Sequence, residues 1–253
     1  MERYCLDCRK LAVDFSVARF TPLCQGSIPC SNTRENMKLY GAGTANVHRA
    51  LLVLFEKEVW DVELVHVNLL AGEHMKPWYQ AMQPFHQIPL LEDCDFRLYE
   101  SRAIIRYIAE KYEGQGAPLL GKTLKERALV NQWVEVEGQN FFAPYEAISL
   151  ESFKAFYFKR PLDKQLVTSN FEKLEKVFNV YEAQLSRNKY LAGDHYSIAD
   201  LVHTPSLHRL KRVEVDAFAK WKHVTAWYED IRSRPAFQKV LEWDSKWPFV
   251  KAE

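Results

Sequence analysis

From Lys38 onward, apolar and polar positions alternate between two textures. "KLYG" is a short strand-like run. Val47, Ala50, Leu51, Leu54 and Phe55 then recur at helical spacing, which predicts a helix with one apolar face. "WDVELVHVNL" is β-rich with polar residues interleaved, a second strand. "GEHMKPWYQAMQPF" is polar and broken by prolines, an irregular segment with one short helix. "IPLLED" and "FRLY", separated by "CD", read as a hairpin, and "ESRAIIRYIAEKY" closes the half as an amphipathic helix. The order β-α-β, irregular segment, β-β-α predicts an α/β layer with a crossover helix between its first two strands.

The texture changes after "EGQGAPLLGKT". Leu124 to Phe158 and Asp163 to Asn188 read as long helices with few breakers. In "SIADLVHTPSLHRL", Ser197 with Asp200 three residues on is the pattern of a capping box, and Tyr196 and Leu201 fall at the positions of a hydrophobic staple. "WKHVTAWYEDIRSR" and "PAFQKVLEWDSK" are further amphipathic helices, the second opened by Pro235 at a permitted first-turn position. The expected organisation is a small α/β domain over 37–113, a linker over 114–122 and an all-helical domain over 123–253. A joint of that kind is a common place for a cleft.

Composition narrows the partners. At 253 residues, 47% apolar and 26% charged, the chain is long enough to bury a core without staples. A formal net charge of +1 supplies no basic field for nucleic acid. No apolar run approaches the roughly 20 residues a bilayer crossing needs, so no membrane association is expected. Cys5, Cys8, Cys24 and Cys30 crowd the first thirty residues, with Cys94 alone beyond them. "CLDC" lacks the flanking strand and helix of a redox pair, and the thiols that follow have no usual zinc spacing. Residues 1–36 show no periodicity and no signal-peptide core, and are read as an extension outside the fold of a cytoplasmic protein. An organelle-targeting segment or a start upstream of Met37 stays open, although Glu2, Asp7 and Asp14 count against a transit peptide. His203 and His208 are five apart, which does not put two ligands on one helical face, and no metal site is expected.

"QPFHQIPLLEDCDFRLYESRAIIRYIAEKY", "GEHMKP", "LVNQWVEVEGQNF", "VYEAQLSRNKYLAGDHYSIADL" and "WYEDIRSRPAFQKV" resemble, in one register from Lys38 to about Leu241, the glutathione transferases of the plant phi class. The resemblance implies a thioredoxin-like N-terminal domain packed on an all-helical C-terminal domain, usually as a homodimer. It implies glutathione as a substrate, and no cofactor. Ile88-Pro89 is then a cis peptide that turns the Ile88 backbone toward the cysteinyl part of the tripeptide. Gln87 is its amide partner. Glu100 and Ser101, at the start of a helix, suit the γ-glutamyl ammonium and carboxylate, and Ser101 can also cap. His74, with Lys76 behind it, maps to the glycyl carboxylate. His86 stands where the family usually has glycine; a bulky residue there argues against a positive-φ requirement and adds a titratable group beside the site. Phe142 and Tyr145 are expected at the apolar second substrate, with Ala42 and Gly43 as its floor.

Chemistry in this family needs the glutathione thiol as thiolate, and a free thiol with pKa about 8.5 is little ionised at neutral pH. The resemblance implies a serine hydroxyl as donor, and its register places Ala45 there. Thr44 and Asn46 are the neighbours able to substitute, although Thr44 is also well placed as a helix N-cap. Two functions follow. One is conjugation of glutathione to hydrophobic electrophiles, with weak glutathione peroxidase activity. The other is a non-catalytic, ligandin-type carrier of flavonoids or related aromatics, some of which carry alanine near this position.

Overall fold

The computed structural model describes residues 37–214 and 216–246. The extension read over residues 1–36, with its four cysteines, lies outside them.

Strand β1 (Met37–Gly41), helix α1 (Ala45–Glu56) and strand β2 (Val62–His66) form the expected crossover unit, with β1 and β2 parallel and Leu39 opposite Leu64. A 3-10 turn (Glu73–Met75) and the short helix α2 (Pro77–Gln80) make up the irregular segment. Strands β3 (Leu90–Asp93) and β4 (Phe96–Tyr99) are the antiparallel hairpin, and the sheet runs β2-β1-β3-β4. Helix α3 (Ser101–Lys111) packs beside α1. On the far side of the sheet a smaller buried cluster joins Tyr40, Val67, Tyr79 and Leu90. Gly41 lets α1 sit close to the sheet, since a Cβ there would lie 2.5 Å from a Val47 methyl.

The helical half comprises α4 (Leu124–Val136), α5 (Phe142–Tyr157), α6 (Lys164–Leu185), α7 (Ile198–Leu201), α8 (Thr204–Val213), α9 (Lys222–Ser233) and α10 (Pro235–Lys246). Both sides of the Ser197–Asp200 capping box are made, and Asp200 also accepts from Leu191 N at 3.0 Å and from Trp227 Nε1 at 3.0 Å.

Three expectations need correction. The helix read from Leu124 to Phe158 is interrupted by a π-helical turn, Glu137–Phe141, which turns the Glu137 carboxylate inward. Ser101 does not cap α3; Glu100 occupies the cap position at φ 69 with no side-chain cap bond, and Ser101 is the first helical residue. Helix α1 has no polar face, because α8 and α10 cover the side turned from the sheet. All of Val47–Glu56 is buried, so its polar members need partners: His48 Nε2 meets Asp244 at 3.1 Å, and Glu56 holds Arg234 through bonds of 2.6 and 2.7 Å.

Candidate active site

Thr44 caps α1 in an extended conformation, its Oγ1 accepting from Val47 N at 3.4 Å. The first intrahelical bond is His48 N to Thr44 O at 2.9 Å, so the Ala45 and Asn46 amides precede the ladder at the positive end of the helix dipole. Arg209, on α8, donates from Nη2 to Gly43 O at 2.8 Å and holds the turn that presents them.

The Ile88-Pro89 bond is cis. The loop before it is tied from both sides: Tyr79 OH donates to Gln87 O at 2.7 Å, and Gln83 Oε1 accepts from Phe85 N at 2.7 Å. His86 within this loop has φ 57. The expectation that a bulky side chain excludes positive φ there fails, because histidine tolerates the left-handed region better than most residues and the loop is fixed on both flanks.

Between α1 and α3 lies a cluster that periodicity alone does not disclose. Arg49, fully buried, donates to Asn46 Oδ1 at 2.9 Å, to Val202 O at 2.8 Å, to Glu137 at 2.5 Å and to Ser206 Oγ at 3.0 Å, with Ser101 Oγ at 3.4 Å. Arg102 Nε donates to the other Glu137 oxygen at 2.7 Å. Both guanidiniums lie over the Phe142 ring, at 5.0 and 4.7 Å from its centroid. Burial pulls the Arg49 pKa down and Glu137 opposes that shift. The π turn serves this arrangement by aiming Glu137 between the two arginines, and Gly138 leaves room for Arg102, whose Nε would lie 3.0 Å from a Cβ.

These parts converge on a cleft of about 460 Å³. Thr44, Asn46, His74, Gln87, Ile88, Pro89, Glu100 and Ser101 line one side, and Phe142 and Tyr145 the other, with Gly43 and Ala45 in the opening turn. Burial raises the Tyr145 phenol pKa, against the pull of Arg209. Two expected residues are not brought there. Ala42 lines a separate small apolar hollow with Leu39 and Val47, and Lys76 stands outside the lining, half-exposed, its Nζ 3.8 Å from Glu73. The apolar wall is longer than expected, since Ser149, Leu150 and Phe153 continue it along α5. Ser149 and Phe153 stand four and eight residues after Tyr145, a helical spacing the sequence already carries.

Comparison with known proteins accords with this geometry. The family model described as "Glutathione S-transferase, N-terminal domain" matches residues 35–110, and the one described as "Glutathione S-transferase, C-terminal domain" matches residues 145–235. The chain is 44% identical over 207 residues to glutathione S-transferase F9 of Arabidopsis thaliana, covering 81% of this chain and 96% of that one. Among solved structures, glutathione transferase F7 from Populus trichocarpa superposes with a TM-score of 0.78 at 46% identity, covering 81% of this chain and 98% of its own. Glutathione S-transferase I from maize, in complex with an atrazine glutathione conjugate, superposes with a TM-score of 0.74 at 37% identity over 82% of this chain and 97% of that one.

Proposed function

Because this chain belongs to the plant glutathione S-transferase family, with F-type (phi) members among its relatives, we propose that the cleft binds glutathione and activates its thiol at the α1 N-terminus. The protein is a glutathione transferase that conjugates the tripeptide to hydrophobic electrophiles. Glutathione is its substrate, with no cofactor required. The carrier reading gains no support from the comparisons.

One observation carries the assignment of the thiol donor: Arg49 donates to Asn46 Oδ1 at 2.9 Å, which fixes the amide and commits its oxygen. The Asn46 N–H₂ is then the side-chain donor beside the leading amides of α1, in the cleft that Ala45 also lines. In this proposal glutathione lies along the cis-proline segment, its cysteinyl part against the Ile88 backbone with Gln87 as amide partner, its γ-glutamyl end at Glu100 and Ser101 and its glycyl end toward His74. The thiol loses its proton to solvent and the thiolate sits over Ala45, held by Asn46 and the helix amides. Sulfur then bonds to an electrophilic carbon against Phe142 and Tyr145, and the leaving group departs with the electron pair. Thr44 keeps its cap, with its O–H free as a second donor. We assign the chain to a cytoplasmic homodimer on the same basis; exposed Trp78, Phe85 and Phe96 supply apolar surface for a second copy.

The test is an ultraviolet thiolate titration of bound glutathione on the full chain and on Asn46→Ala. The bound thiol is expected to titrate at least one unit below free glutathione, about 1.4 kcal/mol, and Asn46→Ala to cancel most of that shift. A bound thiol that titrates as in water overturns thiol activation here.

A further inference from the structure

His86 is held in a conformation that side chains rarely adopt, and it is held there in the cleft. Its φ of 57 is left-handed, its imidazole lines the same cavity as His74 and Gln87, and its Nδ1 is shielded with no partner in the protein. Backbone strain of this kind persists only where the surroundings over-determine it, and it collects at ligand-binding segments. The surroundings do so here. The His86 amide donates to Gln83 O at 3.2 Å, the buried Gln83 side chain holds Phe85 N, and Tyr79 holds Gln87 O on the other flank. None of these contacts uses the imidazole. A second imidazole in the cleft, His74, likewise has an Nδ1 without a protein partner. Buried polar atoms are nearly always paired, so two such nitrogens around one cavity point to a ligand that pairs them.

The ligand chemistry follows from position. His86 precedes Gln87 and the cis Ile88-Pro89 segment by one and two residues, so it stands at the entrance to the backbone that receives the tripeptide. Lys76, the cation expected near the glycyl end, lies outside the cleft lining and beside Glu73. Glu100, the carboxylate nearest the γ-glutamyl position, has a separate place at the start of α3.

We infer that His86 is a specificity-determining residue for glutathione, donating from its imidazole to the glycyl carboxylate alongside His74. The inference rests on the glutathione reading above and deepens it. It makes recognition of the third residue of the tripeptide depend on imidazole donors, at a position where glycine would relieve the backbone but offer nothing to a carboxylate.

The experiment uses glutathione and γ-glutamylcysteine, which lacks the glycyl carboxylate, in calorimetric titrations of the full chain and of His86→Gly and His86→Asn. Wild type is expected to prefer glutathione. His86→Gly, which suits positive φ and is expected to unfold at no lower temperature than wild type, should lose about tenfold in glutathione affinity, as removal of a donor to a charged group does. Its affinity for γ-glutamylcysteine should stay unchanged, so the preference collapses. His86→Asn, which tolerates the same φ and keeps a donor, should recover part of it. If wild type binds both peptides and His86→Gly leaves their ratio unchanged, this inference alone is overturned. If wild type binds neither, the glutathione reading itself fails and takes the inference with it.

Discussion

Arg49 on α1 and Glu137 in the π turn meet at 2.5 Å, both fully buried and 88 residues apart in sequence. Their pair fastens the α/β layer to the helical layer immediately behind the cleft. A buried ion pair is retained at a desolvation cost, but loss of one partner strands the other. Arg49→Ala is therefore expected to destabilise the protein by roughly 3–5 kcal/mol. Urea unfolding monitored by tryptophan fluorescence measures it, and a loss below about 1 kcal/mol would mean Arg102 satisfies Glu137 unaided.

Thr44 and Asn46 should separate by the quantity they change. The Thr44 cap bond is long at 3.4 Å, so Thr44→Ala should cost stability toward the low end of the cap range, about 0.5–1 kcal/mol, and shift the bound thiol less than Asn46→Ala does. Paired melting and thiol titrations of both variants check this. A larger thiol shift from Thr44→Ala would transfer the donor role to the hydroxyl.

Acid should unfold the protein partly through His203. Its Nδ1 donates to Ala199 O at 2.7 Å and its Nε2 accepts from Tyr181 OH at 2.8 Å, a neutral tautomer in a fully buried site, where burial pulls the pKa down to about 3. The unfolded chain takes up a proton near pH 6.5 and the folded one does not. Stability from this group is thus complete above 6.5 and lost as pH falls toward 3, at about 1.4 kcal/mol per unit. Burial pushes Asp200 the other way, up to about 6, so its ionised form costs stability as pH rises through that value. Comparison with His203→Phe isolates the histidine: between pH 6 and 4 the variant's unfolding free energy should fall less steeply than wild type's. Parallel slopes would show that His203 is charged in the fold.

Asp200→Ala should be among the most damaging single changes. It leaves Leu191 N, Ser197 N and Trp227 Nε1 without an acceptor in a fully buried site. At 1–3 kcal/mol for each stranded donor, a loss of roughly 3–5 kcal/mol is expected after relaxation. Equilibrium denaturation is the measurement, and a loss under about 1 kcal/mol would imply that solvent reaches those donors.

The parts of the fold legible in the sequence were those with a local rule. The strand and helix order followed from hydrophobic periods, and Ser197 with Asp200 declared its helix start by spacing alone. What lay hidden needed a third dimension. Arg49 sits among apolar residues on a helix whose outer side a period count leaves to solvent, and only α8 and α10 reveal that it is enclosed. The π turn has no periodic mark, because Glu137 leaves the α-helical register for two arginines, one of them 88 residues back along the chain. Ala42 is expected near the cleft from its place in the opening turn and Lys76 from the resemblance that sets a lysine behind His74, but positions one residue apart along a turn face different ways. At His86 the steric expectation fails because its fixed neighbours override it.

The π turn also sets a phase. Each residue of an α-helix advances the chain by about 100°. The extra residue accommodated between Glu137 and Phe141 therefore fixes which face of α5 looks into the cleft. Removal of one residue there would rotate the sequence of that wall by about 100°, turning Phe142, Tyr145, Ser149 and Phe153 away together. The acceptor side of this protein is thus indexed by a single peptide unit.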